Sequence, residues 1–484
     1  MDDKKEAYVW YGVFLLGIIF LLSDFASGST PGNINSCQTL DTMGVYTLTA
    51  DAIIEDDVNT CFNITVGNVS LNCQGWKIIY GNRTWGVGIN VSHAQQATLH
   101  NTSIRNCVVQ KNMSYGGGTY GIVFMNVSSS TIANNSIFTN GTSLSRAIYF
   151  MNYGNGDANV NVNNSIENNT IHTWGASSYS EGINLDRGSP GTNITGNIIF
   201  TNGTSNNFGI SITNPANNTI KNNTIQTNGI TGSNYGLYFS SDAAFYRAFG
   251  SNFNSILNNT IITNSTGNSD NYGIYLGSGV GFDIFNNTIF TNGTRLNHGI
   301  VLYGPGMGNS TVANNTIFTN GAVSGDNYGI YLVSANYNNI SGNRIQTNSS
   351  GGPANTGIRI DGSSFNYIVS NNISTNGTTQ NHGIFLASNS TNNTIYANTI
   401  RTVGSLSDGI HMNASGNIAP TNNTIANNSL EAIAGYCIGW GTAAVNSTRF
   451  VDQPLANYSF NSSFVYFERA GLGSVDFLLP INGT

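Results

Sequence analysis

The chain has 484 residues, of which only 8% are charged, and a formal net charge of −7. So little positive charge argues against nucleic acid as a partner. A polar, weakly charged composition with 57 Gly usually signals disorder, but here Ile and Leu hold fixed places among the Asn and Gly, which marks an ordered β repeat. The length alone would suggest two or three domains, whereas a repeat grows without needing a second core.

Residues 1–30 read as a signal peptide or retained N-terminal anchor. Lys4 and Lys5 precede an apolar run, Ala7–Leu22, that is short for a membrane span, and Ala26-Ser27-Gly28 offers a small-residue exit. Either way the remainder is exported, to the outside or the cell surface, and any membrane contact runs through this segment alone. Residues 31–87 form an N-terminal cap with entry coils. Four of the five cysteines, Cys37, Cys61, Cys73 and Cys107, fall in the first quarter, and Cys437 stands apart. Export permits disulfides, and the spacing lacks the close pairs of a zinc site, so the four read as staples of undetermined connectivity.

From 88 to 430 one phrase returns: NNTIFTNG at 286–293 and 314–321, NNSIFTNG at 134–141, NNTIQTNG at 222–229. A Gly-Ile phrase, as in YGIYL at 272–276 and 328–332, falls between the copies, its glycine position recurring every 26–37 residues. The apolar spacing inside both phrases is two, not three or four, so the units are strands. Short strands joined by Asn/Gly turns and closing after about 27 residues make a parallel β-helix, an all-β solenoid of about 12–13 coils. Residues 431–484 read as a C-terminal β cap or appendage that covers the open strand edges.

Alternation assigns the faces. Asn287, Ile289 and Thr291 point inward while Asn286, Thr288 and Phe290 point outward. Inward amides stack as a ladder through Asn135, Asn169, Asn197, Asn223, Asn259, Asn287, Asn315 and Asn343. There they satisfy one another and, on this reading, also take the left-handed backbone of the tight turn. Two aromatic columns are expected to be exposed, Tyr149, Tyr238, Tyr275, Tyr331 and Phe385, with Tyr120, Phe208, Tyr235, Tyr272 and Tyr328 before the glycine. They could pack on a neighbour or form a platform for sugar rings.

These columns resemble the right-handed parallel β-helix of the pectin-lyase-like superfold in its generic repeat form, and CFNITVGNVSLNCQGWKI at 61–78 resembles the first coil of archaeal cell-surface β-helix proteins. The resemblance implies the fold, a cap pinned by cysteines and an envelope location. It leaves function open, because this superfold hosts lyases, hydrolases, adhesins and structural proteins.

No catalytic, cofactor or metal residues are assigned from sequence. The acidic residues are scattered: Asp186 and Asp361 share a column six coils apart, and Glu181 and Asp186 lie too far apart along one strand for a glycosidase pair. His298 and His382 read as exposed turn residues without carboxylate companions in their column. The six histidines never cluster in sequence, so copper delivery has no residue support. Two long insertions, 151–164 and 240–254, emerge from one corner. Asp157, Asp242, Phe245, Tyr246, Arg247 and Phe249 are the candidate ligand or partner residues there. Outward sequons at Asn134, Asn168, Asn222, Asn258, Asn286 and Asn314, with Asn140, Asn202, Asn292 and Asn376 beside the turn, are candidate glycosylation sites. The primary expectation is a non-catalytic, exported cell-surface glycoprotein of structural or adhesive role. Its partners would be covalent or bound glycans, copies of itself or envelope proteins. The alternative is a polysaccharide-active enzyme or carbohydrate-binding β-helix.

Overall fold

A computed structural model describes residues 29–451 and 466–468, apart from 55–59, 82–84, 94–96, 113–116, 152–160, 187–188, 215, 241–252, 268–269, 278, 322–324, 350–354, 388, 414–418 and 441–448. The described chain is all β, a right-handed parallel β-helix of about 12 turns. One coil shows the plan. A short strand, Asp283–Phe285, is followed by a turn at Asn286 and a second strand, Thr288–Gly293, then by a third, Asn297–Tyr303. Each pairs in parallel with its counterparts one coil before and after, as Ile261↔Ile289↔Ile317 illustrates. Parallel pairing begins at Gly32–Ile34 with Gly44–Leu48 and continues past 430, where Arg449–Val451 joins Thr424–Ala426.

The core is one continuous column of aliphatic side chains. Ile284, Ile289, Ile300 and Leu302 supply one coil's share, all fully buried. The glycine of the Gly-Ile phrase is fixed by crowding: a Cβ on Gly273 would lie 2.3 Å from Ile289 Cγ2 and 2.6 Å from the carbonyl oxygen of Gly299. The inward side of this strand leaves no room for a side chain between Ile289 and the backbone of the next coil.

Facing follows the expected alternation, with Asn287, Ile289 and Thr291 buried and Asn286 and Phe290 exposed. The amide ladder extends beyond Asn343 through Asn371, Asn398 and Asn428. Each rung is closed on every side. Asn315 Oδ1 accepts from the Asn287 backbone N–H and from its Nδ2, both at 2.9 Å, while Asn287 Nδ2 also donates to the Ile256 carbonyl at 2.8 Å. A second buried amide ladder, absent from the sequence reading, runs Asn297, Asn327, Asn355, Asn381 along the third strand at 2.7–2.8 Å. The threonine column also stacks, from Thr139 to Thr402. The Thr291 hydroxyl finds no partner among the described residues, so the branched shape rather than hydrogen bonding holds it there.

The left-handed backbone belongs to the other asparagine. Positive φ falls on the outward residue of the pair, at Asn134, Asn168, Asn222, Asn258, Asn286 and Asn314, and the buried ladder residues do not adopt it. Gly196 and Gly342 hold the same column position, with φ of 69° and 64°. Asn and Gly are the residues that enter this region at least cost. The outward Asn is therefore selected by backbone conformation before any surface role.

Near the N-terminus Cys37 is bonded to Cys61 and Cys73 to Cys107, each tying one coil to the next, while Cys437 is a buried free thiol. Among the described residues no helix is long and apolar enough to cross a membrane.

Asn315→Ala should destabilise the rod by about 2 kcal/mol, because it strands the Asn287 N–H and amide in the core. Asn286→Ala should cost about 1 kcal/mol, whereas Asn286→Gly should be near neutral. Denaturant midpoints of the three variants check both assignments.

Candidate functional site

The outer face of the third strand gathers most of the chemistry. The residue before the glycine and the residue two after it point outward, and parallel register places each directly over its counterpart one coil away. The aromatic columns point outward as the sequence suggests, but they are not exposed, contrary to that reading, because the rings bury each other. Tyr120, Tyr149, Phe208, Tyr235 and Tyr328 are all under 10% accessible, and Tyr238, Tyr272, Tyr275, Tyr331 and Phe385 are half-buried.

Coil spacing sets their geometry. Tyr235 and Tyr272 lie 4.8 Å apart at 5°, Tyr272 and His298 4.9 Å apart at 12°, and His298 and Tyr328 4.6 Å apart at 1°. Ring faces are consumed by the neighbouring coil, and edges with their hydroxyl and imidazole nitrogen atoms are what the solvent meets. Within the stacks no ring face is left on which a sugar ring could lie flat, and what the column presents outward is hydrogen-bonding groups at ring edges.

Charged groups flank the ribbon at two places. Towards the N-terminus Arg146 pairs with Glu181, lies 4.4 Å over the Tyr149 ring, and shares Glu181 with Asn184, whose Nδ2 donates at 2.8 Å. Towards the C-terminus Arg359 Nε donates to Asp361 at 3.0 Å and its Nη1 to the Tyr328 hydroxyl at 3.0 Å. Tyr331 donates to Asp361 at 2.7 Å and Tyr328 to Asp326 at 2.5 Å. Aromatic faces surround the guanidinium, Phe385 at 4.7 Å and Tyr328 at 5.2 Å. This sheath holds the Arg359 side chain in place while three of its N–H groups find no partner among the described residues.

His382, Asp408 and His411 converge one and two coils further on, their ligand-type atoms within 4.8 Å of one another. This corrects the sequence reading twice. Asp408 is the carboxylate companion of His382 in its own column, and both His298 and His382 are buried at 3% and 5% accessibility rather than exposed at a corner. Separation along the chain hid the cluster, since Asp408 is 26 residues from His382 yet donates its backbone N–H to His382 Nδ1 at 3.2 Å. Tyr328 N–H does the same to His298, also at 3.2 Å. Asp408 Oδ1 accepts from the Tyr436 N–H at 2.8 Å, and its Oδ2 lies 2.7 Å from His411 Nδ1. The proton of neutral His411 therefore sits on Nδ1, and Nε2 keeps a lone pair with no partner among the described residues.

As arranged, this set does not fit a metal ion. The two imidazoles are stacked 4.3 Å apart at 22°, so their in-plane lone pairs run nearly parallel instead of meeting at one point. Nδ1 is moreover occupied on both rings, by an amide proton on His382 and by Asp408 on His411. What the geometry offers is an oriented base, His411, held by a carboxylate that is itself fixed by backbone.

Asp157, Asp242, Phe245, Tyr246, Arg247 and Phe249 lie outside the described residues. The ten candidate glycosylation residues, Asn134 to Asn376, are all exposed. A cavity of about 260 Å³ lined by Lys111, Phe138, Asn140 and Trp174 opens on the second strand, beside His172 and many coils from His382 and His411. Burial lowers the Lys111 pKa to about 8 there.

Burial pushes both His298 and His382 down to about 3. Their folded values lie below the unfolded value near 6.5, so the unfolded chain binds more protons between these limits. Stability should therefore fall as pH drops from about 6.5 towards 3, by roughly 1.4 kcal/mol per histidine per pH unit. The His298→Gln/His382→Gln double variant should flatten this slope in a pH series of thermal midpoints.

A family model described as periplasmic copper-binding protein (NosD) matches residues 246–403, about a third of the chain. That match takes in His382 but stops short of Asp408 and His411, and the stacked imidazoles of His382 and His411 do not fit copper for the reasons given. No curated protein matches the chain. Similar solved structures include the A-module of the Azotobacter vinelandii mannuronan C-5 epimerase AlgE6, 13% identical with a TM-score of 0.39, covering 86% of this chain and 92% of that one. The periplasmic alginate epimerase AlgG is 12% identical with a TM-score of 0.36, covering 88% and 80%. A tailspike protein of E. coli bacteriophage HK620 in complex with a pentasaccharide is 11% identical with a TM-score of 0.38, covering 88% and 72%. The likeness is one of fold, the parallel β-helix.

Proposed function

We propose that this is an exported β-helix that binds an extended polysaccharide along the outer face of its third strand. The observation that carries the reading is the outward ring column of the third strand, stacked from Phe208 to Tyr328, with further ring pairs at Tyr120 with Tyr149 and at His382 with His411, and with Arg146–Glu181 and Arg359–Asp361 filling the two gaps between them. Such a surface offers a chain of sugar hydroxyls alternating donors and acceptors at one coil spacing, with side chains already held in place before the ligand arrives. The two disulfides suit an oxidising compartment outside the cytoplasm.

A role as a cell-surface glycoprotein is the second reading, supported by the exposure of all ten candidate acceptors. Recurrence of the sequon counts less for it than exposure does, since the left-handed turn selects the same asparagine.

Tyr238→Phe and Tyr275→Phe keep the rings stacked and delete one hydroxyl each. Each should weaken polysaccharide binding about three- to tenfold, the worth of one neutral hydrogen bond, with the thermal midpoint unchanged. Affinity electrophoresis against a panel of neutral and acidic polysaccharides reads the effect; a chain retarded by none of them overturns the proposal. Intact mass of protein from its native source tests the second reading, which requires a mass above that of the bare mature chain.

A further inference from the structure

We infer that Tyr337, Phe365 and Tyr367 form a separate site for an uncharged sugar, bound by stacking on open ring faces at the turn that leads into the first strand. The site lies off the third-strand ribbon and does not depend on it.

The backbone gives the first sign. Tyr337 and Phe365 stand two residues before the first strand of their coils and take φ of 61° and 59°. In other coils the same position is Asn163, Gly191, Asn217, Gly281, Asn309 and Asn392, residues that enter the left-handed region at least cost. A bulky side chain there is strained, and the surrounding turn holds it in place. The Tyr337 N–H donates to the Ser364 carbonyl and the Phe365 N–H to the Thr391 carbonyl, both at 3.1 Å. One residue on, Asn338, Asn366 and Asn393 form a buried amide ladder at 3.0 Å.

No core packing offsets that strain, because Tyr337 is 57% and Phe365 42% accessible. The two rings stack on each other, 4.9 Å apart at 4°, which is one coil spacing. The stack is only two rings long. On either side the next coil offers Asn309 or Asn392, both exposed, so the outer face of each ring looks along the rod into a slot holding only a small amide. This is the reverse of the third strand, where neighbouring coils consume the faces. Phe253 lies in the same column three coils before Tyr337 and rests against Gly281, which leaves a trough of about 14 Å floored by Gly281 and Asn309. Tyr367, two residues after Phe365, is 57% accessible and stacks on no ring among the described residues. In register it is flanked by Asn339 and Thr394.

The chemistry of the patch selects its occupant. An aromatic face is negative, and the C–H face of a pyranose ring is weakly positive, so the two attract where both are flat and open. The amides of Asn309, Asn339 and Asn392 and the Thr394 hydroxyl stand beside the rings to meet sugar hydroxyls. Both outward columns of the first strand are free of charge from Thr311–Ala313 to Thr424–Ala426, so nothing there favours an acidic sugar. A second protein is a poor fit. Three half-exposed aromatic side chains present at most about 400 Å², against about 800 Å² per partner in a stable interface.

The test is titration of the full chain with a soluble β-glucan, a mannan and a galactan, read by saturation transfer from aromatic protons to sugar C–H groups. At least one of the three should bind. The double variant Tyr337→Asn/Phe365→Asn gives the turn the residue of its neighbouring coils. It should weaken that binding about tenfold or more, while the thermal midpoint holds or rises because strain is relieved. Tyr337→Phe should change affinity by less than about twofold, since the ring face and not the hydroxyl makes the contact. Failure of all three polymers to bind overturns the inference. Binding weakened by Tyr238→Phe and Tyr275→Phe but not by the double variant also overturns it and leaves the ribbon standing; the opposite pattern upholds it and overturns the ribbon. A thermal midpoint lowered by more than about 3 °C shows that the rings pack against another part of the chain. Conversion of a dimer to monomers in sedimentation velocity, with glycan binding intact, assigns the rings to a second copy. Either result overturns the sugar site.

Discussion

Everything in this molecule depends on one constraint: successive coils lie in parallel register, one strand spacing apart. A side chain therefore meets its equivalent from the next coil before it meets anything else. For Ile289 between Ile261 and Ile317 this is simple apolar packing. For buried amides it is a demand, because a polar group in the core is tolerated only when bonded. Asparagine meets the demand with itself, carbonyl oxygen of one rung to amide hydrogens of the last, in the ladders through Asn287, through Asn297 and through Asn366.

The same spacing explains the surface. Aromatic residues repeated in an outward column are forced into face-to-face stacks, which removes their faces from recognition and leaves hydroxyls and ring nitrogens at the edge. Stacking also buries His298 and His382 so deeply that both stay neutral through the physiological range. Where the repeat lapses, at Arg146, Glu181, Arg359, Asp408 and His411, charged or titratable side chains take outward slots in the ring columns, and Arg359 lies among the rings of Tyr328, Tyr331 and Phe385. The departures from the pattern are thus where chemistry is concentrated, on a scaffold whose rigidity comes from the pattern itself.

Glycosylation illustrates how one residue can satisfy two accounts. Asn286 is exposed and stands in a sequon, yet its φ of 56° already explains why Asn is there, and Gly196 and Gly342 show that the turn accepts a residue with no side chain to modify. Exposure supports an acceptor role, whereas recurrence supports the turn.

The sequence by itself determined the solenoid, its period, the inward Asn-Ile-Thr face and the threonine stack, because a residue's direction along a strand depends only on its neighbours in the chain. It also exposed the cysteines grouped near the start, though not which pairs with which. What only the tertiary structure decided depends on residues a whole coil apart. Loops of unequal length vary the interval, so Asp408 could not be placed over His382, nor His411 in line with Phe385 and Arg359, until register was known. Burial of the outward aromatic columns was likewise invisible in sequence, since alternation says which way a ring points and only the stacked neighbour says whether water still reaches it.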